Sequence, residues 1–268
     1  MPAIRFTQAL REEYERLFNS CAIRPDRIVL VEEAIGRLQA HRARYQAVGD
    51  PLGIPWFFVS VIHNMESSID FTKHLHNGDP LTARTVQAPA GRPETGNPPF
   101  TWEESAGDAL SMKGLGQGTD WSPAGVLYQL ERYNGWGYRL YHPHVLSPYL
   151  WSYSNHYTSG KYVADGTWSD TAASRQCGAA VILRRMAEMN LIEFPDQVVS
   201  SEDAAPLVVR HSMKKSTDPA VVASAENLQE WLNTFAGIFV KVDGVPGDRT
   251  SDAYKRVTGF YLPGDPRA

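Results

Sequence analysis

The chain has 268 residues, 43% of them hydrophobic and 21% charged, with a formal net charge of -4. Such a length and composition describe a globular protein with a core of ordinary size, built as one large domain or as a medium and a small one. The acidic balance excludes broad attraction to nucleic acid or anionic lipid, because both reward a basic surface.

Two cysteines, Cys21 and Cys177, make no disulfide framework and fit no zinc spacing, so folding in a reducing compartment is expected. The opening MPAIRFTQALREEYERLF lacks a basic segment followed by an apolar run, and no stretch approaches the length of a membrane span. Synthesis in the cytoplasm without a Sec signal is the expectation.

In chain order, a first helix is predicted over Gln8 to Phe18 and a second from about Asp26 to Val48. On the second, Val29, Val31, Ile35 and Leu38 share one face, and Glu32, Arg37 and Arg42 can face water. In GDPLGIPWFFVSVIHNMESS, Pro55 suits the first position of a helix reaching about Met65, apolar nearly all round and therefore buried. Glu66 emerges where that core helix stops. From His74 to Pro99, Gly, Pro, Asn and Thr with short alternating stretches such as ARTVQAP predict a small antiparallel hairpin or a long loop, a polar flap beside Glu66.

Thr101 and Glu104 have capping-box spacing, and Ser122 before Pro123 marks another helix start. A helix near PYLWSYSN and a long one in SDTAASRQCGAAVILRRMAEMN complete a first domain. The segment FPDQVVSSEDAAPLVVRHSMKKSTDPA reads as a linker, with a boundary near residue 200 and domains of 1–200 and 201–268. Beyond it, ENLQEWLNTF places Leu228, Trp231, Leu232 and Phe235 on one helix face, IFVKVDG is strand-like, and TSDAYKRVTGFY is a last helix.

In LQEWLNTFAGIFVKVDGVPGDRTSDAYKRVTG, Gly244 and Gly247 suit a tight turn and Thr250 can cap a helix, so most of the motif has a structural job. Leu228 and Gln229, Val242 to Gly244, Gly247, Thr250 and Ala253 together resemble the pattern of peptidoglycan-binding domains. That resemblance implies a small helical wall-binding bundle, with Gln229, Asp243 and Arg249 as candidate wall contacts.

VSVIHNMESSIDF resembles the catalytic segment of the lysozyme superfamily, including goose-type lysozymes and lytic transglycosylases, where a helix ends in a Glu-Ser pair beside the cleft. Here the pair is Glu66 and Ser67. ERYNGWGYR is similar to the cleft-lining Tyr-Asn-Ala-Gly segment of those enzymes through Tyr133, Asn134 and Gly135, with Trp136 in place of a small residue. PYLWSYSNHYTSGKYVADG alternates aromatics with hydroxyls and amides, the mixture that sugars bind, and makes Trp151 and Tyr157 candidates. The resemblance covers nearly the whole chain. It implies a mainly α (α+β lysozyme-like) catalytic domain with a small β-hairpin flap, acting as a monomer on peptidoglycan glycan strands between N-acetylmuramic acid and N-acetylglucosamine.

Cleavage of a glycosidic bond needs an acid for the leaving oxygen. A Glu66 packed against Phe57, Phe58, Ile62 or Ile69 would have its ionised form disfavoured, which fits a general acid. A hydrolase adds a carboxylate or a positioned water. Asp79, followed by Thr82 and Thr85, resembles the Glu, Asp, Thr order of phage-type lysozymes and is the first candidate. Asp70 is expected to cap or turn the chain, and Glu103 and Glu104 to favour a helix N-terminus.

Without a second carboxylate, a lytic transglycosylase using the same Glu is the better reading. A non-catalytic wall-binding or phage structural protein and a chitinase- or chitosanase-like glycosidase are further alternatives. His63, His74 and His76 near Asp79 raise a metal site, but neutral imidazoles beside a polar flap more often make hydrogen bonds. Ser67 has no GxSxG elbow. No metal, nucleotide, haem or flavin is expected as cofactor, and holin-type or lytic release, or association with a particle, would bring the protein to the wall.

Overall fold

The protein's structure, a computed structural model, describes residues 4–164, 166–195, 209–235 and 237–268. The central part of the expected linker, 196–208, lies outside the described residues. The fold is mainly helical with one small two-stranded antiparallel sheet. Among the described residues no helix is long and apolar enough to cross a membrane.

The chain divides into two compact units that are discontinuous in sequence. One comprises Met1–Arg5, Ala22–Trp121 and Gly125–Leu183, the other Phe6–Cys21, Ser122–Ala124 and Arg184–Ala268.

In the larger unit, the run expected as one helix from Asp26 is two, α2 (Ile28–Ala40) and α3 (Arg42–Gly49). They break at His41, whose backbone (φ -111°, ψ 13°) leaves the helical region without help from proline or glycine. Val31, Ala34, Ile35 and Leu38 face the core from α2, whereas Val29, expected on that face, is 67% exposed. Helix α3 packs along α4 (Trp56–Ser67), in which every residue from Trp56 to Asn64 is buried. A helix apolar on all sides is stable only when enclosed, and this one is the axis of the unit.

Pro55 is the N-cap of α4. At the other end Ser68 (φ 54°) and Ile69 (φ 66°) are both left-handed, and their backbone N–H groups donate to the carbonyls of Asn64 and His63. This double turn stops the helix one residue beyond Glu66.

Residues 74–99 form a long loop, not a strand pair; Lys73 and Pro80 make only an isolated bridge. The loop is held by point contacts. His74 bonds Ser105 Oγ through Nδ1 (2.8 Å) and the Ala83 carbonyl through Nε2 (2.8 Å), while Arg92 N donates to Thr85 Oγ1 (2.9 Å).

Helix α5 (Trp102–Met112) opens with both bonds of the expected capping box, Thr101 Oγ1 accepting from Glu104 N and Glu104 accepting from Thr101 N. Helices α6 (Pro123–Asn134), α7 (Gly137–Tyr141) and α8 (Pro148–Trp151) follow. The sheet is farther along than expected: β1 (Lys161–Ala164) pairs with β2 (Thr167–Ser169), with Tyr162 opposite Trp168. Helix α9 (Ala179–Glu188) starts about ten residues later than the sequence suggested. Just before it the chain passes so close to Leu150 that a Cβ on Gly178 would stand 2.3 Å from the Leu150 carbonyl oxygen.

In the smaller unit, α1 (Gln8–Asn19) is capped by Thr7 and buries Leu10, Tyr14, Leu17 and Phe18. Helix α10 (Pro219–Leu232) starts earlier than ENLQEWLNTF suggested because Asp218 caps it and Pro219 sits in its first turn. Residues 238–244 are irregular where a strand was expected. They lead to α11 (Asp248–Thr258), which packs on α10 around Leu228, Leu232, Ile238, Val240, Ala253 and Val257.

Candidate functional site

Three features of α4 place Glu66. The helix is locked by its buried length, it ends abruptly after Ser67, and Gln176 Nε2 donates to the carbonyls of Asn64 (3.3 Å) and Met65 (3.1 Å) in its last turn. Tyr149, on α8, donates its hydroxyl hydrogen to Glu66 Oε1 over 2.9 Å.

Glu66 retains solvent access, yet loss of hydration is the largest influence on its carboxyl and raises its pKa above the ordinary value. The Tyr149 hydrogen bond and the charge of Lys113 act in the opposite direction without cancelling it. The carboxyl is thus crowded by protein on one side and open to water on the other.

The neighbours form a second layer. Tyr133, at the end of α6, and Tyr149 both have their phenols pushed up, by burial first and then by the negative charge of Glu66. Both therefore keep their protons and serve as donors: Tyr133 to the Leu75 carbonyl (3.2 Å), Tyr149 to Glu66. Lys113 lies 4.9 Å above the Tyr133 ring, a cation–π placement that holds a positive charge on this side of α4. Burial alone favours a protonated acid, and the cation and phenol support its anion once the proton has gone.

Of the residues expected at the site, the structure brings Glu66 and Tyr133 into one group. Ser67 follows Glu66 but returns its hydroxyl to the His63 carbonyl (3.2 Å) within its own helix. Asn134 and Thr82 are exposed, with no bond described to the Glu66 group. Trp151 and Tyr157 are buried in the core rather than on a cleft wall; the Tyr157 hydroxyl donates to the Gly160 carbonyl (3.1 Å) and accepts from Ser174 N (3.2 Å).

Asp79 is engaged by its loop. Its Oδ2 accepts from the backbone N–H groups of Val86 (2.8 Å) and Gln87 (3.2 Å) and from Asn77 (3.0 Å), and these bonds lower its pKa. Asp70 also turns the chain, accepting from Thr72 N (2.9 Å) and Thr72 Oγ1 (2.6 Å), which holds its pKa at about 2.

The three histidines do not converge. His63 lies among Tyr45, Phe71 and Trp102, with its Nδ1 3.1 Å from Tyr45 Oη, and burial pushes its pKa down to about 4. His76 Nε2 is 2.7 Å from Asp108 Oδ2. Among the described residues one set has metal-ligand proximity, His211 with Asp248 and Asp265. It is already bridged by a cation: Arg267 lies 2.8 Å from Asp265 and 3.6 Å from Asp248.

The larger unit carries a cavity of about 630 Å³ lined in part by Arg37, Asn64, Met65, Ser68, Lys161 and Arg175. Glu66 is not in its wall. At roughly 100° per residue, the lining residues Asn64 and Met65 stand about 160° and 100° from Glu66 around α4, so the carboxyl faces away from this cavity.

Of the expected wall contacts, Gln229 is buried and is the hub of the smaller unit. Its Nε2 donates to Asp243 Oδ1, the Val245 carbonyl and Thr250 Oγ1, and its Oε1 accepts from Asp243 N and Gly244 N. Asp243 is tied into the same turn through Val245 N (3.0 Å). Arg249 alone lines a cavity, its Nη2 fixed on the Ala187 carbonyl (2.8 Å).

Sequence reasoning missed Tyr149 and Lys113 as partners of Glu66. The hydrogen bond from Tyr149 spans 83 positions, and no local pattern announces it. No protein family, curated protein or solved structure matches the chain.

Proposed function

We propose that this chain cleaves the glycan strand of bacterial peptidoglycan as a muramidase-type hydrolase, with Glu66 as general acid. The observation that supports it is the state of Glu66, a desolvated carboxyl of raised pKa at the end of a rigid buried helix, held by a hydrogen bond that the Tyr149 phenol donates. Because Tyr149 occupies Oε1, the acidic hydrogen belongs on Oε2, free to reach a glycosidic oxygen. Proton transfer accompanies breaking of the C1–O bond, whose electron pair goes to the leaving oxygen, and hydrolysis is completed when the oxygen of a water molecule bonds C1 and its surplus proton passes to solvent. Tyr149 and Lys113 then stabilise the Glu66 carboxylate until water reprotonates it.

One observation favours the transglycosylase form of this chemistry. The charged group acting on Glu66 is a cation, Lys113, and the carboxylate of Asp79 is consumed by backbone donors in its loop. A lone acid suffices if the muramoyl C6 hydroxyl captures C1 of the same sugar, giving an anhydro end. Water attack instead needs a positioned base or carboxylate.

The test is lysis of permeabilised Gram-negative cells by wild type and Glu66→Gln. Loss of turbidity with wild type alone supports the acid role. Equal binding without lysis by both proteins supports an adhesive protein, and turnover of chitin in place of walls moves the substrate to unsubstituted glucosamine polymers.

A further inference from the structure

The smaller unit holds a cavity of about 420 Å³ between the segment after α9 and one face of α11. Its floor is apolar and braced. The Phe239 ring lies 4.9 Å from Phe18 and 6.0 Å from Phe194 in edge-to-face contacts, and Arg184 sits 5.1 Å above it. Ile192 and Ile238 complete the floor.

The rim is polar and has a sequence basis. Arg249, Asp252, Ala253 and Arg256 are spaced i, i+3, i+4, i+7, so one stripe of α11 faces the opening. Asp252 is neutralised by Arg267 at 2.8 Å. Arg249 is anchored through Nη2 to the Ala187 carbonyl, with burial as the main influence on its guanidinium. No hydrogen bond or ion pair is described for Arg256 or for Glu193, the remaining carboxylate of the rim.

The opening therefore carries two guanidinium groups over a braced apolar floor, with one acidic group beside them. Guanidinium recognises carboxylate in bidentate fashion, the floor suits a small aliphatic side chain, and the volume is that of a small-ligand site.

We propose that this cavity binds the free carboxylate end of a short peptide, Arg249 and Arg256 taking the carboxylate and Glu193 an ammonium group on the same ligand. The source of the peptide rests on the cell-wall reading above, since wall stem peptides end in a free carboxylate after a small side chain and carry an amino group.

The experiment is calorimetric titration of the full chain with the stem tetrapeptide L-Ala-γ-D-Glu-diaminopimelate-D-Ala, with its C-terminal amide, and with N-acetylglucosamine trimer. Expected is saturable binding of the acid, at least tenfold weaker for the amide and for Arg256→Met, which lies on the exposed side of α11 where folding is not at stake. Arg249→Met, which also loses the Ala187 contact, is expected to weaken binding further, with folding checked by circular dichroism.

Equal binding of acid and amide, indifference to Arg256→Met, or no binding of the acid at millimolar concentration overturns the proposal. Cleavage of a peptide-free glycan, measured in parallel, reports Glu66 alone. Cleavage without peptide binding removes this cavity and leaves the Glu66 reading, and peptide binding without cleavage does the reverse.

Discussion

The Tyr149 hydroxyl donates to Glu66 Oε1 across 2.9 Å, and it does so to a carboxyl whose hydration is already reduced. The bond lowers the pKa of Glu66, as does Lys113, against a larger rise from burial. A general acid acts in its protonated form, so activity must fall as pH rises through its pKa. Removing a lowering influence must move that fall to higher pH. Tyr149→Phe and Lys113→Met are each expected to shift the alkaline limb of the kcat/KM profile upward, and a downward shift in either contradicts the assignment.

His63 makes stability acid-sensitive in a defined window. Its pKa is about 4 in the folded protein, against an ordinary value near 6.5 in the unfolded chain. Between those values the unfolded state binds the extra proton, so stability is complete above about pH 6.5 and declines as pH falls toward 4, by on the order of 3 kcal/mol. Urea denaturation of wild type and His63→Phe from pH 7.5 to 4 checks this. The variant, which keeps an aromatic ring among Tyr45, Phe71 and Trp102, is expected to lose much of the decline, and equal slopes for both proteins contradict it.

The end of α4 is strained. Ser68 is left-handed (φ 54°) without being glycine, an arrangement that costs about 1 kcal/mol or more. Ser68→Gly is expected to raise the unfolding free energy by an amount of that order, and the unfolding midpoint with it. A lower midpoint would mean that the serine contributes more than its backbone costs.

Gln229 is expected to be structural. Gln229→Leu leaves the N–H groups of Asp243 and Gly244 without their acceptor inside the smaller unit, a loss on the order of 3 kcal/mol. Hydrogen exchange should then accelerate throughout α10 and α11. Wall binding that weakens while exchange stays unchanged would instead make Gln229 a ligand contact.

Signals confined to one element were legible in the sequence. The all-apolar run from Trp56 shows a buried helix and its polar exit at Glu66, and Thr101 with Glu104 shows a helix start, because each rests on neighbours within a turn or two. What depends on distant partners was not. His41 breaks a helix that proline and glycine do not mark. The turn-rich 74–99 segment, read as a hairpin or a long loop, takes the second form, with His74, Asp79 and Thr85 bonding across it. The strands pair Tyr162, which belongs to the aromatic stretch read for sugar contacts, with Trp168, which lies beyond it. Trp151 and Tyr157 share that pattern and lie in the core, since an aromatic alternating with polar residues reads alike in both settings.

The most direct measurement is mass spectrometry of soluble fragments released from isolated sacculi by wild type and by Glu66→Gln at equal concentration. Muropeptides with new reducing or anhydro-muramic ends from wild type, reduced at least a hundredfold in the variant, are the predicted result. Fragments released equally by both proteins, or cut only at peptide bonds, would contradict the role assigned to Glu66.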